Sequence, residues 1–197
     1  MNELQRVGEV VESSTSQFTA QCYELHQAPP LGSLVKAGAG AVAVYAVVSQ
    51  VITASVEPGR RAIARGKDEI DETAVYRENP QLLKLLRTDF TALVVGHRQE
   101  TKLHHYLPPQ PARLHSFVYV CEAQELQEFS QRFDCLSLLL AAQPAGLGDE
   151  LIAAFLRQAA QAHQDRHSFL VTAGKELAVL LNGQTSRLNA ILRRMKE

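Results

Sequence analysis

The spacing of apolar positions changes character several times along the chain. Arg6 to Glu12 is short and β-branched, and Ser13 to Ser16 follows as a polar turn. In the next run, Gln17 to Leu25, the residues Phe18, Ala20 and Cys22 fall on one face and Gln17, Thr19 and Gln21 on the other. That period of two is the mark of a half-buried strand, so the two runs predict a β-hairpin. Pro29-Pro30 breaks the pattern, because proline donates nothing to a ladder. Ser33 to Ala37 predicts a short strand, and Gly38-Ala39-Gly40 a flexible corner.

Ala41 to Val56 is the most valine-rich run in the chain. β-branched residues favour strand, and the absence of clean alternation fits a strand covered on both faces in its middle. The run is long for one strand, and Ser49-Gln50 marks a bulge or bend. Glu57-Pro58-Gly59 is turn chemistry, and the segment leaves it carrying Arg60, Arg61 and Arg65. Lys67 to Glu78 is acidic and helix-prone. Asn79-Pro80 then predicts a second helix start, with Asn79 as N-cap. Thr88 to Tyr106 returns to strand alternation, with Gly96 permitting a kink, and the proline-rich Leu107 to Pro111 predicts a domain boundary.

Beyond it lie a short strand, Leu114 to Val120, and an amphipathic helix, Ala123 to Phe133. Cys135 to Leu140 is apolar and compact and reads as either strand or buried helix. Three helical stripes follow: Leu151, Ile152, Phe155, Leu156 and Ala159; Phe169, Leu170, Ala173, Leu177, Leu180 and Leu181; and Leu188, Ile191, Leu192 and Met195. Asn182-Gly183 separates the last two. The expected class is α+β: a small closed β-barrel of about six strands within residues 1–108, with a helical insertion near 68–87, and an α-rich C-terminal region over 109–197.

Composition narrows the function classes. Hydrophobic residues make up 46% of the 197, enough for a large core, and the net charge of -1 argues against a globally nucleic-acid-directed surface. An electrostatic partner therefore has to meet a local patch. Three cysteines, Cys22, Cys121 and Cys135, with no CxxC pair, read as reduced, buried thiols in a cytoplasmic compartment. The N-terminus shows no secretory signal, and the valine run is interrupted before it can span a bilayer.

Candidate chemistry is sparse. Gly38 to Ala43 fits a loose GxGxxA, but a dinucleotide site needs a helix after the glycines, and a valine-rich strand follows here. Gly66-Lys67 and Gly174-Lys175 lack the spacing of a phosphate loop and its Ser/Thr. His163 and His167 lie four apart on a predicted helix end without a third ligand, and His104-His105 point to opposite faces of a strand. Cys121 and Cys135 have no neighbouring base in the sequence to activate a thiolate. With no Walker A loop, catalytic triad or metal motif, the residues point to a non-enzymatic protein that needs no cofactor. The binding candidates are Arg60, Arg61 and Arg65, which suit carboxylates or phosphates unless Asp68 to Glu72 neutralise them. A second basic group, Arg187, Arg193, Arg194 and Lys196, complements the dipole of the last helix.

The segments RVGEVVESSTSQFTAQCYEL, LGSLVKAG and AVVSQVITASVEPGRRAIARG resemble the HAS-barrel family, the N-terminal barrel shared by HerA-type ATPases and rotary ATP synthase subunits. With ENPQLLKLLRTDFTALVVGH included, the similarity is to HAS-barrel proteins of cyanobacteria and covers about Gln5 to Pro108. The resemblance implies a barrel that mediates subunit contacts, with the nucleotide site in a separate domain. No ATPase core follows here, so no family catalytic residue carries over. The expected function is a protein interaction or assembly module, with a protein partner or further copies of itself. The alternative is an accessory factor of an ATPase or nucleic-acid machine that contacts phosphate through Arg60, Arg61 and Arg65.

Overall fold

The computed structural model describes residues 6–38, 42–142 and 147–196. Their strands are β1 (Arg6–Ser13), β2 (Gln17–Cys22), β3 (Leu34–Ala37), β4 (Val42–Ser55), β5 (Leu86–Gln99), β6 (Lys102–His104) and β7 (Phe117–Val120). The helices are α1 (Glu72–Glu78), α2 (Leu82–Leu85), α3 (Ala123–Phe129), α4 (Cys135–Ala142), α5 (Leu147–Ala162), α6 (Arg166–Leu180) and α7 (Thr185–Arg194). The GxGxxA-like glycine corner lies largely outside the described residues.

Six strands close an antiparallel barrel in the order β2-β1-β7-β3-β4-β5, with β5 returning to β2 and β6 pairing on the free end of β5. Closure leaves few sheet edges unpaired. The β1–β2 hairpin forms where its period predicts. Ser14 holds the turn: its Oγ donates to Gln17 O at 3.0 Å and accepts from Gln17 N at 3.1 Å.

Strand β4 explains the unclean valine pattern. Val44, Ala46 and Val48 point into the barrel core with Val35, Phe90, Ala92 and Val94. Ala43, Tyr45 and Val47 point outward into a second core shared with the helices. A strand buried on both faces needs no polar alternation. The expected bulge is present: Val48 opposes Ala92 and Gln50 opposes Thr91, so Ser49 is the extra residue, and its hydroxyl donates to Thr91 O at 3.2 Å.

The proline-rich stretch does not end the barrel. The sixth strand, β7, comes after it and pairs with β1 and β3, so the barrel wall extends to Val120 rather than stopping at 108. Pro108 and Ala112 are buried, and Ala112 belongs to the barrel core. Prolines cannot join the ladder, but here they strap the chain across one mouth of the barrel and return it to the sheet. Asn79 is also placed differently from the sequence reading. It caps the end of α1, with its backbone N–H and its Nδ2 both donating to Val75 O.

The helices cover the outer face of β3, β4 and β5. Apolar Cys135 to Leu140 resolves as helix α4, with Cys135, Leu136 and Leu139 buried. Helix α5 is the centre of this layer, buried from Leu151 to Leu156 and again at Ala159 and Ala160. The barrel meets it at Leu31-Gly32-Ser33. Gln158 Nε2 donates to Leu31 O at 2.7 Å and Ser33 Oγ donates to Gln158 Oε1 at 3.0 Å. Gly32, at φ +84, lies so close to α5 that a β-carbon would sit 2.6 Å from Phe155 N. The C-terminal arginines serve the same layer. Arg187 pairs with Asp149 and Arg194 with Glu150, each at 2.7 Å, joining α7 to the first turn of α5.

All three cysteines are free and buried. Burial pushes the Cys22 thiol up to about 11 and Cys135 up to about 12, and raises Cys121 well above its usual value. Thiolate is the reactive species, so none should react readily in the native protein. Native protein is expected to take up a thiol-reactive chromophore at least ~100-fold more slowly than denaturant-unfolded protein, with three groups released on unfolding. A thiol that labels at the free-cysteine rate in native buffer would contradict this packing.

Candidate functional site

From Ser49 onward β5 is the only strand partner of β4 among the described residues; β5 still pairs with β2 as far as Asp89, and past Ile52 and Asp89 the two strands run on as a two-stranded ribbon. Residues 56–85 form an excursion between them. It is tied back by Tyr76, whose hydroxyl lies 2.8 Å from His26 Nε2; beside it in β5, Thr88 Oγ1 meets Thr53 Oγ1 at 2.9 Å and accepts from His26 N at 2.9 Å.

All three predicted binding arginines lie on this exposed excursion. Arg60 pairs with Glu57 at 2.9 Å, with the two side chains 60% and 58% exposed, a geometry that solvent screens heavily. Arg65 donates to Asn79 Oδ1 at 3.4 Å. Arg61 has no hydrogen-bond or ion-pair partner among the described residues. The acidic run does not neutralise them. Asp71 caps α1 by accepting from Ala74 N at 2.8 Å, and among the described residues Asp68, Glu69, Asp71 and Glu72 form no ion pair. The structure therefore places the arginines on one loop but does not gather their guanidinium groups around a common point.

The excursion is also rich in exposed apolar side chains. Val56, Ile63, Ile70 and Leu83 all face solvent, and Ile70 is 96% exposed. The adjoining ribbon adds Val51 and Ile52. Single exposed apolar residues are ordinary; here several fall on one element. The sequence reading had concentrated on the arginines there. Ile63 and Ile70, two large apolar residues in a loop dense in charge, were the available clue.

Two polar clusters elsewhere were not visible in the sequence. In the first, Glu125 of α3 accepts from Lys36 Nζ at 2.7 and 2.8 Å and from the Tyr45 hydroxyl. Arg98 Nε donates to that hydroxyl at 3.1 Å and its Nη2 to Glu128 at 3.0 Å. Burial and the Glu125 bond push the Tyr45 phenol well above its usual range, while the bond to Tyr45 raises Arg98. Strongly perturbed groups often mark active sites. Here every member is occupied by another, and the adjoining cavity is about 190 Å³. The cluster acts as a polar joint between the barrel and α3.

The second cluster pairs Ser130 Oγ with His163 Nε2 at 2.8 Å, beside a cavity of about 370 Å³. Ser130 also donates its hydroxyl proton to Leu126 O at 2.7 Å, as the C-cap of α3. With the hydroxyl proton on Leu126 O, the imidazole is the donor to Ser130, the reverse of a base activating a nucleophile. His163 stacks on Phe169 at 4.2 Å, and burial lowers its affinity for a proton. Its sequence neighbour His167 lines a different cavity. His104 and His105 do face opposite ways: His104 stacks on His97 at 4.8 Å and His105 packs on Phe129 at 4.7 Å.

No described helix is long and apolar enough to cross a membrane. Compared with models of known protein families and with curated proteins, the chain has no match.

Proposed function

We propose that this chain is a protein interaction or assembly module, built on a HAS-type barrel without an ATPase domain of its own, acting in the cytoplasm and without catalysis. The observation that carries the reading is the excursion 56–85, a projecting element on which Val56, Ile63, Ile70 and Leu83 stay exposed although both cores of the molecule are filled. Solvent-facing isoleucines on a charged loop cost solubility, and burial against another protein recovers that cost. The barrel serves as a rigid base that holds the element out.

Full-length chain immobilised in lysate of its native source is the direct test. A defined protein set, retained by the native chain and lost from an Ile63→Ser/Ile70→Ser variant that keeps its far-UV spectrum, is the expected result. Equal retention by both proteins removes the excursion from the function.

The phosphate-binding reading rests on Arg60, Arg61 and Arg65, of which Arg61 has no partner among the described residues. It draws less support, because residues 57–72 carry five carboxylates against the four cations Arg60, Arg61, Arg65 and Lys67. Binding of single-stranded nucleic acid that weakens steeply with salt would favour it instead.

A further inference from the structure

An open groove of about 810 Å³ lies between α6 and the end of α7. Leu170, Val171, Ala178 and Leu192 make its floor apolar. The helices come close at Gly174, where a β-carbon would stand 3.2 Å from Leu192 Cδ2. The rim is basic: Arg166, His167, Lys175 and Lys196 line it, and among the described residues no acidic side chain does. Among the described residues none of these three permanent cations is engaged in an ion pair. An apolar floor inside a ring of unpaired positive charge fits an apolar side chain flanked by carboxylates.

The same chain carries such a segment. Ile70, the most exposed large apolar side chain, sits within Asp68-Glu69-Ile70-Asp71-Glu72, whose four carboxylates form no ion pair among the described residues. No residue of 56–85 lines the groove, so the two surfaces stand apart within one chain. We infer that the groove between α6 and α7 receives the Asp68–Glu72 tip of a second copy, with Ile70 on the apolar floor and the carboxylates against Arg166, Lys175 and Lys196. This rests on the interaction-module reading and names its partner as the chain itself.

The contact is heterologous, since tip and groove are different surfaces. Each copy that binds by its tip still offers a groove, so assembly proceeds head to tail into a ring or a filament. Both surfaces carry charge, so association weakens with added salt.

Sedimentation velocity on the full chain, from low micromolar to near-millimolar concentration, tests this. The native chain is expected to self-associate reversibly, and less so in high salt. Ile70→Asp should weaken association roughly ten- to hundredfold, the loss expected when one aliphatic side chain no longer leaves water. Val171→Glu/Lys175→Glu, at two exposed positions of α6, should do the same from the other side. The decisive sample is the mixture. One variant keeps a working groove and the other a working tip, so together they should form a 1:1 complex that grows no further. A native chain that stays monomeric overturns the proposal, and so does association that both variants leave intact. A mixture that stays monomeric overturns it as well. Capture of a different protein through the excursion would leave the interaction-module reading standing while this one falls.

Discussion

Replacing Gly32 with alanine is expected to be among the most destabilising small changes in the chain, at about 2–5 kcal/mol. Two costs combine. The residue sits at φ +84, a left-handed conformation that a β-carbon disfavours. The new carbon would also lie 2.6 Å from Phe155 N and 2.7 Å from the Ala154 carbonyl carbon. These are backbone atoms of the central helix, so no side chain can swing aside. Either the Leu31–Ser33 segment retreats and releases Gln158, or α5 shifts and disturbs the core around it. A chain of this length should lose roughly 4–20 °C in thermal midpoint. Gly183→Ala is the internal control. It shares the left-handed conformation at φ +80, but a β-carbon there meets nothing within 4 Å. It should cost about 1 kcal/mol, the conformational part alone. If the two variants unfold at the same denaturant concentration, the barrel does not press on α5 at Gly32.

Glu125→Ala is expected to cost about 3 kcal/mol, chiefly by stranding Lys36. The Lys36 and Glu125 side chains are only 12% and 17% exposed, so water does little to replace the lost carboxylate. The Tyr45 hydroxyl loses its acceptor in the same step, although Arg98 still donates to it. The double variant Lys36→Met/Glu125→Leu should recover most of the stability, because removing both charges also removes their desolvation cost. Denaturant unfolding of the native chain, Lys36→Met, Glu125→Leu and the double completes a cycle. Purely additive losses would mean that the two groups are not coupled, and that the joint between barrel and α3 is apolar in effect.

Much of this arrangement was legible in local pattern, and the exceptions share one cause. The Ser49 bulge was readable because a polar pair interrupts a valine run, and bulging relieves that conflict within one strand. The β1–β2 hairpin was readable because its period and its serine turn agree. Cys135 to Leu140 stayed ambiguous because a short run whose one polar residue is Ser137 carries little phase. Its identity as a helix follows from what covers it. Leu107 to Pro111 read as a boundary because prolines usually separate units, and only the pairing of β7 with two distant strands shows it as a strap. The role of Gly32 was equally hidden. A glycine after two prolines looks like turn chemistry, and its close neighbour lies more than a hundred residues away in α5. The candidate site divides along the same line. Arg60, Arg61 and Arg65 were found by charge, whereas the α6–α7 groove exists only once two stripes are packed and their unmatched sides face each other.

The position of β7 has a consequence for how the molecule comes into being. Its neighbours β1 and β3 emerge from the ribosome early, yet the strand that joins them arrives only with Phe117–Val120. Until then the nascent barrel is an open gutter with two bare edges facing one gap. Such edges are the surfaces through which chains pair wrongly with one another. Arg6 of β1 stands at this gap, and in the finished fold its guanidinium lies 4.4 Å from the centre of the Phe117 ring. A charged residue at the lip discourages premature pairing between two nascent chains, and its aromatic partner arrives with the closing strand itself.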